Sequence, residues 1–509
     1  MGLRVAFRAD VSATIGTGHL RRCHSLATAL RELAAEVVYV ARTTDALFLE
    51  MLAKDVYWLK TTDGDANTDA IETAGALGNF APDWIVVDHY RLDANWHSIV
   101  RANTGARVLA IDDLADRVLA PELLVDHNIG ADLSYKYAGR LAPSARHLLG
   151  PRFALLEPAY ATAVRCNPGG DVRSIGIFMG GSDPRNACAL ALRACREGAG
   201  FRGDIEIVSS PLSPYFDSLV QLCSRWPRTR LLQALPDLRA FFARHDLQIG
   251  AGGGAALERC CVGAPTIGLA VASNQLVSLP ALETQGAIVW VRSDVPPESM
   301  SDFSLDKALE HRVGHAVRQL IGDAAARRTL SERSQTLVDG RGASRVAAVM
   351  DLAVRGALTA RAANAADEAL LLGWANDALN RSNAFHPNAV TAREHHDWFR
   401  TRLADHEDCR LSILEAANQI PVAQVRLDRV PDGWQISYSV DAAFRGWGVG
   451  RKALEAVLKP LLEAQPDTVF TACVMLHNRA SIRIFEQLGF ARAVVRDERG
   501  EYIVFTLRP

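Results

Sequence analysis

Short apolar runs alternate with longer stretches in which apolar residues recur every three or four positions. The runs at 3–9, 37–41, 84–88, 108–111 and 123–126 predict buried strands. A second series follows at 175–179, 205–208, 247–251, 266–269 and 288–291. Between strands the spacing is helical: Leu20, Cys23, Ala27 and Leu30 mark one face of a helix over 20–33. Regular alternation of strand and helix predicts parallel sheets covered on both faces by helices. Two such series predict two doubly wound halves, at 1–148 and 149–356.

The pattern changes after residue 356. Segment 357–366 is rich in alanine and poor in large apolar side chains, and reads as a linker. Beyond it, 434–440 alternates like a strand, 444–450 is a compact glycine turn and 451–462 has helical spacing. A further strand at 469–474 precedes a helix near 480–488. Residues 367–509 are therefore expected to form a third domain, also α/β.

Of the 509 residues 49% are hydrophobic and 22% charged, and the net charge is −2. That balance fits globular domains and gives no reason to expect nucleic acid or an anionic membrane as a partner. No apolar run reaches the length of a membrane span and no signal-peptide pattern opens the chain, so a cytoplasmic location is expected. The nine cysteines include the adjacent Cys260 and Cys261 but no CxxC pair. Buried free thiols are the simplest account, and no structural metal site is expected.

In open parallel sheets, ligands bind beyond the carboxyl ends of the strands. Several motifs fall at such ends. Gly16-Thr17-Gly18-His19 follows the first strand; small residues there let a ligand approach the backbone, and His19 can exchange a proton near neutral pH. A glycine turn with a structural histidine is the other reading. Gly180-Gly181-Ser182-Asp183-Pro184-Arg185-Asn186 follows a strand and opens a helix. Its N-terminal N–H groups suit a phosphate, with Gly181, Ser182 and Asn186 as contacts, or form an ordinary capped helix. The Asp183 carboxylate would repel a phosphate unless it points away. Gly252-Gly253-Gly254 repeats the device, with Glu258 one turn into its helix to accept hydrogen bonds from ribose hydroxyls. Asn274 and Gln275, at a helix start, offer amides to sugar hydroxyls or a polar cap. Together these parts describe a nucleotide-sugar cleft with His19 across it from the phosphates.

These residues carry a resemblance. Arg8-x-Asp10, Gly16-x-Gly18-His19-x-x-Arg22, Asp88-x-Tyr90, the 180–186 and 250–258 runs, Asn274-Gln275 and Asp339-Gly340-x-Gly342-Ala343-x-Arg345 resemble the UDP-sugar hydrolases of pseudaminic acid biosynthesis, over residues 1–355. The resemblance implies a GT-B-like pair of Rossmann-like halves related to the glycosyltransferase MurG. It implies hydrolysis of UDP-2,4-diacetamido-2,4,6-trideoxy-β-L-altropyranose to free sugar and UDP, by inverting C–O cleavage without a metal. His19 is then the base, Asp10 is expected to orient it, and Tyr90 either places water or sugar or packs as a half-buried core tyrosine. Gly16, Gly18 and Arg22 are expected to lie beside the substrate.

In the tail, Phe444-Arg445-Gly446-Trp447-Gly448-Val449-Gly450-Arg451 lies between a strand and a helix. Its amides can wrap a pyrophosphate while Arg445 adds charge. No Gly-Lys-Ser/Thr follows, so it is not a Walker A loop. It resembles the acetyl-CoA loop of GNAT acetyltransferases, and Asn478-x-x-Ser481 with Leu488-Gly489-Phe490 matches their second signature. The resemblance implies acetyl-CoA as co-substrate, bound by Val440, Arg445, Gly446, Gly448, Val449, Gly450, Arg451, Asn478 and Ser481. Where many members carry a tyrosine acid, this chain has Phe485; Tyr438 and His477 are the alternatives. Trp374 offers either a stacking surface for the acceptor or a core residue.

The combined expectation is a bifunctional enzyme whose tail N-acetylates the 4-amino UDP-sugar that the first region then hydrolyses. The alternatives are a GT-B glycosyltransferase with a sugar acceptor, a hydrolase for a different diamino UDP-sugar, and a non-catalytic nucleotide-sugar-binding module fused to an unrelated acetyltransferase.

Overall fold

The computed structural model describes residues 2–10, 18–42, 56–59, 65–132, 135–181, 183–211, 213–233, 235, 237–273, 275–293 and 307–508. Gly16, Ser182 and Asn274 lie outside the described residues. The chain forms two compact units, Met1–Val346 and Ala347–Pro509.

The first unit contains two wholly parallel sheets. In the first, β1 (Arg4–Ala9), β2 (Glu36–Ala41), β3 (Val56–Trp58), β4 (Trp84–Asp88), β5 (Arg107–Ile111), β6 (Leu123–Asp126) and β7 (Arg146–Leu149) run in the order β3-β2-β1-β4-β5-β6-β7. In the second, β8 (Ser174–Phe178), β9 (Asp204–Ser209), β10 (Thr229–Gln233), β11 (Leu247–Ala251), β12 (Thr266–Leu269) and β13 (Val289–Trp290) run in the order β10-β9-β8-β11-β12-β13. The chain winds outward in one direction from β1 and β8, and in the other from β4 and β11. Those two junctions are the switch points at which such sheets open a crevice.

Central strands such as β4 and β11 are buried at every position, which is why they read as continuous apolar runs. Val87, Trp96 and Val108 belong to the core over one face of the first sheet. Ile177, Leu190, Ile249 and Val313 pack over one face of the second, and Phe241, Phe242, Leu257 and Leu279 over the other. The edge strands β7 and β10 are half-exposed and carry arginines, so they leave no apolar signature. Eight of the nine cysteines are buried and all are unpaired, with Cys473 half-exposed.

The second unit is built on a mixed sheet. β14 (Thr359–Ala362), β15 (Cys409–Ala416), β16 (Ile420–Val430), β17 (Gly433–Val440), β18 (Phe470–Met475), β19 (Ala491–Asp497) and β20 (Gly500–Leu507) run in the order β14-β15-β16-β17-β18-β20-β19. The expected linker at 357–366 is corrected here: it contains β14, which pairs antiparallel with β15 from Thr359 opposite Glu415 to Ala362 opposite Ser412. Arg361 ties this edge down through Asp367 (2.8 Å) and Glu415 (2.7 Å). The small, exposed side chains of β14 hid a strand held by its backbone and by charge.

Among the described residues, no helix is long and apolar enough to cross a membrane. No group of three or more His, Cys, Asp and Glu side chains among them is arranged to hold a metal ion.

Candidate functional site

At the switch point of the first sheet, β1 and β4 lie side by side, and helix α1 (Gly18–Arg31) follows β1. The first turn of α1 carries His19, which is 6% exposed. Its Nδ1 lies 2.5 Å from Asp88 Oδ1, at the carboxyl end of β4. Asp88 is fully buried and also accepts from Arg22 Nε (2.5 Å) and Nη2 (2.6 Å) and from Cys23 Sγ (3.7 Å). Burial alone would raise its pKa, but Arg22 and His19 hold the carboxyl well below the usual range. Asp88 is therefore an anion, and an anion fixes the hydrogen on Nδ1. In a neutral ring with that tautomer, the lone pair sits on Nε2; Arg22 Nη2 lies 3.2 Å from the same Nδ1.

Asp10 does not take the orienting role expected of it. It accepts from Arg8 Nη1 (2.5 Å) and Nη2 (2.9 Å) and from the Arg42 backbone N–H (2.8 Å), and its Oδ2 pairs with His89 Nε2 (3.3 Å). Arg8 is itself buried and shared with Asp69 at 2.6 Å. Asp10 thus belongs to a charge cluster that joins the ends of β1 and β2, and Asp88 is the carboxylate beneath α1. Arg22, expected beside the substrate, is committed to Asp88, with Nη1 3.6 Å from Asp113. Tyr90 lies edge-to-face on His19, with ring centroids 4.6 Å apart. Its hydroxyl faces Asp113, and burial together with that carboxylate raises its pKa, so it is a neutral donor.

At the second switch point, Gly180 adopts φ +98, a conformation that favours glycine, and a Cβ on Gly181 would meet only open space. Asp183 turns away from this mouth: its carboxylate accepts from the Ala187 and Cys188 N–H groups, both at 2.9 Å, and caps helix α2 (Ala187–Arg193). The repulsion that Asp183 threatened is thereby removed. Asn186 Oδ1 is buried without a hydrogen-bond partner among the described residues.

Across the same junction, helix α3 (Gly254–Val262) starts at Gly253 with no side-chain cap, and a Cβ at Gly254 would meet open space. Gly252 has a different reason to be glycine, because a Cβ would sit 2.5 Å from Leu279. Gln275 is corrected from a sugar contact to a clamp on this turn: its Oε1 accepts from the backbone N–H of Gly252 (3.1 Å) and of Val271 (3.0 Å). Glu258 bonds the Tyr160 hydroxyl, and its Oε2 is buried with no partner among the described residues. Burial raises the Glu258 pKa, opposed by Arg21, which reaches it from α1. Arg21 of α1 thus lies close enough to act on the Glu258 carboxyl of α3.

In the second unit, β17 and β18 pair only at Trp434–Phe470 and Gln435–Thr471, then diverge. Helix α4 (Val449–Ala464) begins beside β17, with Gly450 against Tyr438 and Val440. Gly448 precedes it at φ +76, which favours glycine, and has no side-chain cap. A Cβ on Gly450 would come within 3.0 Å of Ile484 and 3.3 Å of Tyr438. Arg445 is not offered to a pyrophosphate as expected. It pairs with Asp377 Oδ1 (2.5 Å) and donates to the Val440 carbonyl (3.1 Å), which anchors the loop. Arg451 likewise pairs with Glu455 at 2.7 Å.

Asn478 caps helix α5 (Arg479–Gln487) by accepting from the Ser481 N–H at 3.1 Å. Ser481 Oγ is 2.8 Å from the Tyr438 hydroxyl, whose pKa burial raises. Phe485 is 1% exposed and stacks on Phe505, so it is core. Trp374 is core as well, with its Nε1 donating to Asp441 at 2.7 Å. His477 Nε2 lies 3.0 Å from the Ser382 carbonyl.

Residues 357–491 match the family model of the acetyltransferase (GNAT) domain. The tail is a GNAT-like acetyltransferase domain, and GNAT acetyltransferases use acetyl-CoA. The chain is 19% identical over 274 residues to an uncharacterized protein of Methanocaldococcus jannaschii, covering 52% of this chain and 55% of that one. It thus spans about half the length of that relative. It is 24% identical over 347 residues to a UDP-N-acetylglucosamine–N-acetylmuramyl-(pentapeptide) pyrophosphoryl-undecaprenol N-acetylglucosamine transferase of Salinibacter ruber, covering 63% of this chain and 92% of that one. A solved aminoglycoside acetyltransferase in complex with coenzyme A is 20% identical, covers 30% of this chain and 95% of its own, and has a TM-score of 0.27.

Proposed function

We propose that the first unit hydrolyses UDP-2,4-diacetamido-2,4,6-trideoxy-β-L-altropyranose and that the tail N-acetylates the 4-amino precursor of that sugar from acetyl-CoA. The observation that carries the hydrolase reading is the contact between His19 Nδ1 and Asp88 Oδ1, which leaves Nε2 as a base at the switch point. A water oxygen attacks the anomeric carbon and gives its proton to His19 Nε2. The bond from that carbon to the UDP oxygen breaks, and its electron pair leaves with UDP. Attack opposite the leaving group inverts the anomeric centre. A base so placed contributes roughly 10²–10⁴-fold.

Support for UDP as the leaving group comes from the second switch point. The uncapped start of α3, the open space at Gly181 and Gly254, and the turned-away Asp183 suit a diphosphate. Gly252, Gly253, Ser182, Asn186 and Asn274 belong to the same proposed surface. The orphaned Glu258 Oε2 suits a ribose hydroxyl. In the tail, the diverging strands and the uncapped start of α4 suit acetyl-CoA.

The purified chain, given acetyl-CoA and the 4-amino UDP-sugar, is expected to yield the acetylated UDP-sugar and then UDP and free sugar by mass spectrometry. Absence of both products overturns the reading. A second reading, glycosyl transfer to a sugar acceptor in a GT-B-like frame, draws support from the Salinibacter ruber transferase, aligned over 92% of its length. Release of UDP without any acceptor separates the two.

A further inference from the structure

Beside His19, the carboxyl ends of β5 and β6 carry two orphaned polar atoms. Asp113 follows β5, and its Oδ1 is buried with no hydrogen-bond partner among the described residues. The same carboxylate lies 3.6 Å from Arg22 Nη1 and faces the Tyr90 hydroxyl. His127 follows β6, is 9% exposed, and has its Nδ1 buried and equally without a partner. Its surroundings are Arg22, Asp126, Asp113 and Asp88. Asp126, one residue earlier, is by contrast satisfied by Asn128, Lys136 and Tyr137.

Both orphans lie beside Arg22, the residue that also holds Asp88 beneath His19. Burial and the Arg22 guanidinium push the His127 imidazole down to about 4, so the ring is neutral at physiological pH. Buried polar atoms without partners are rare, and each bears its full desolvation cost until something supplies the missing bond. A carboxyl oxygen without a hydrogen accepts, so the orphaned Asp113 Oδ1 suits a donor. Its charge is already shared with Arg22, which favours a neutral donor over an ammonium group.

We propose that Asp113 Oδ1 and His127 Nδ1 form a sugar-recognition subsite that binds a neutral donor of the glycosyl ring, an amide N–H or a hydroxyl, while His19 faces the anomeric carbon. This rests on the nucleotide-sugar reading above. It adds that the sugar is selected by the ends of β5 and β6, apart from the groups that hold UDP.

The test is calorimetric titration of the full chain carrying His19→Asn, which is expected to slow turnover roughly 10²–10⁴-fold. The probes are UDP and UDP-2,4-diacetamido-2,4,6-trideoxy-β-L-altropyranose. Adding Asp113→Ala is expected to weaken the UDP-sugar about tenfold and to leave UDP unchanged, a loss equal to one hydrogen bond. His127→Leu is expected to show the same split, and Asp113→Asn, which keeps an acceptor oxygen, a smaller one. Unchanged UDP-sugar affinity in all variants, or equal losses for both probes, overturns the subsite. A parent that binds UDP but not the UDP-sugar overturns it too. A parent that binds neither probe overturns the nucleotide-sugar reading and the subsite with it.

Discussion

The first unit and the tail hold their candidate sites in opposite ways. In the first, the candidate group is a side chain: His19 is buried and fixed by Asp88, which Arg22 in turn fixes. In the tail, the conspicuous side chains are engaged elsewhere, with Arg445 on Asp377 and Arg451 on Glu455. What the tail offers is backbone, at the uncapped start of α4 and along strands that diverge. A base must be one atom in one protonation state. A pyrophosphate and a pantetheine chain can be held by peptide groups of almost any sequence.

The contrast breaks most sharply at Asp88. Asp88→Asn removes the anion that sets the His19 tautomer, and UDP release is expected to fall roughly 10²–10⁴-fold. It also leaves Arg22 with only its longer contact to Asp113 (3.6 Å), which costs up to about 3–5 kcal/mol of stability in a denaturant titration. A loss of stability with normal turnover would separate Asp88 from the chemistry.

In the tail, the largest expected effect comes from filling space. Gly450→Leu crowds Ile484 and Tyr438, and overpacking of about 1–3 kcal/mol raises KM for acetyl-CoA roughly ten- to hundredfold. UDP release by the same variant should not change. Arg445→Gln is expected to do much less. Its partly exposed pair with Asp377 is worth about 0.2–1 kcal/mol, so acetyl transfer should fall by less than about fivefold. A hundredfold loss would mean that Arg445 leaves Asp377 to contact the cofactor.

The smallest effect sharpens the comparison through pH. Burial pushes His97 down to about 3 and His127 down to about 4, and lowers His395 in the tail. Their unfolded forms titrate near 6.5, so the unfolded chain takes up protons first as pH falls. Stability from these groups is complete above about pH 6.5 and is lost as pH drops toward their folded values. Because His97 carries the lowest value, His97→Gln should flatten the fall in denaturation midpoint between about pH 6.5 and 4. An unaltered slope would remove His97 from that balance.

The sequence alone made the central parallel strands legible because strands such as β4 and β11 are buried on both faces. It missed β7, β10 and β14, whose exposed polar or small residues are held by neighbouring backbone, and also β3, β15, β16, β19 and β20. His19 was legible from its glycine turn, but its partner was not. Asp10 is nearer in sequence, whereas Asp88 lies 69 positions away and reaches His19 only because β4 pairs with β1. The engagement of Arg445 with Asp377, 68 positions away, was equally invisible. Asp183 was the reverse case: a local cap could be expected, and its direction decided whether a phosphate fits.

The most direct test is UDP release from the diacetamido UDP-sugar with no acceptor present, measured for the parent chain and for His19→Asn. Steady release by the parent is expected, with a loss of roughly 10²–10⁴-fold in the variant and UDP affinity unchanged. Near-normal release by His19→Asn would contradict the assignment of His19 as the base.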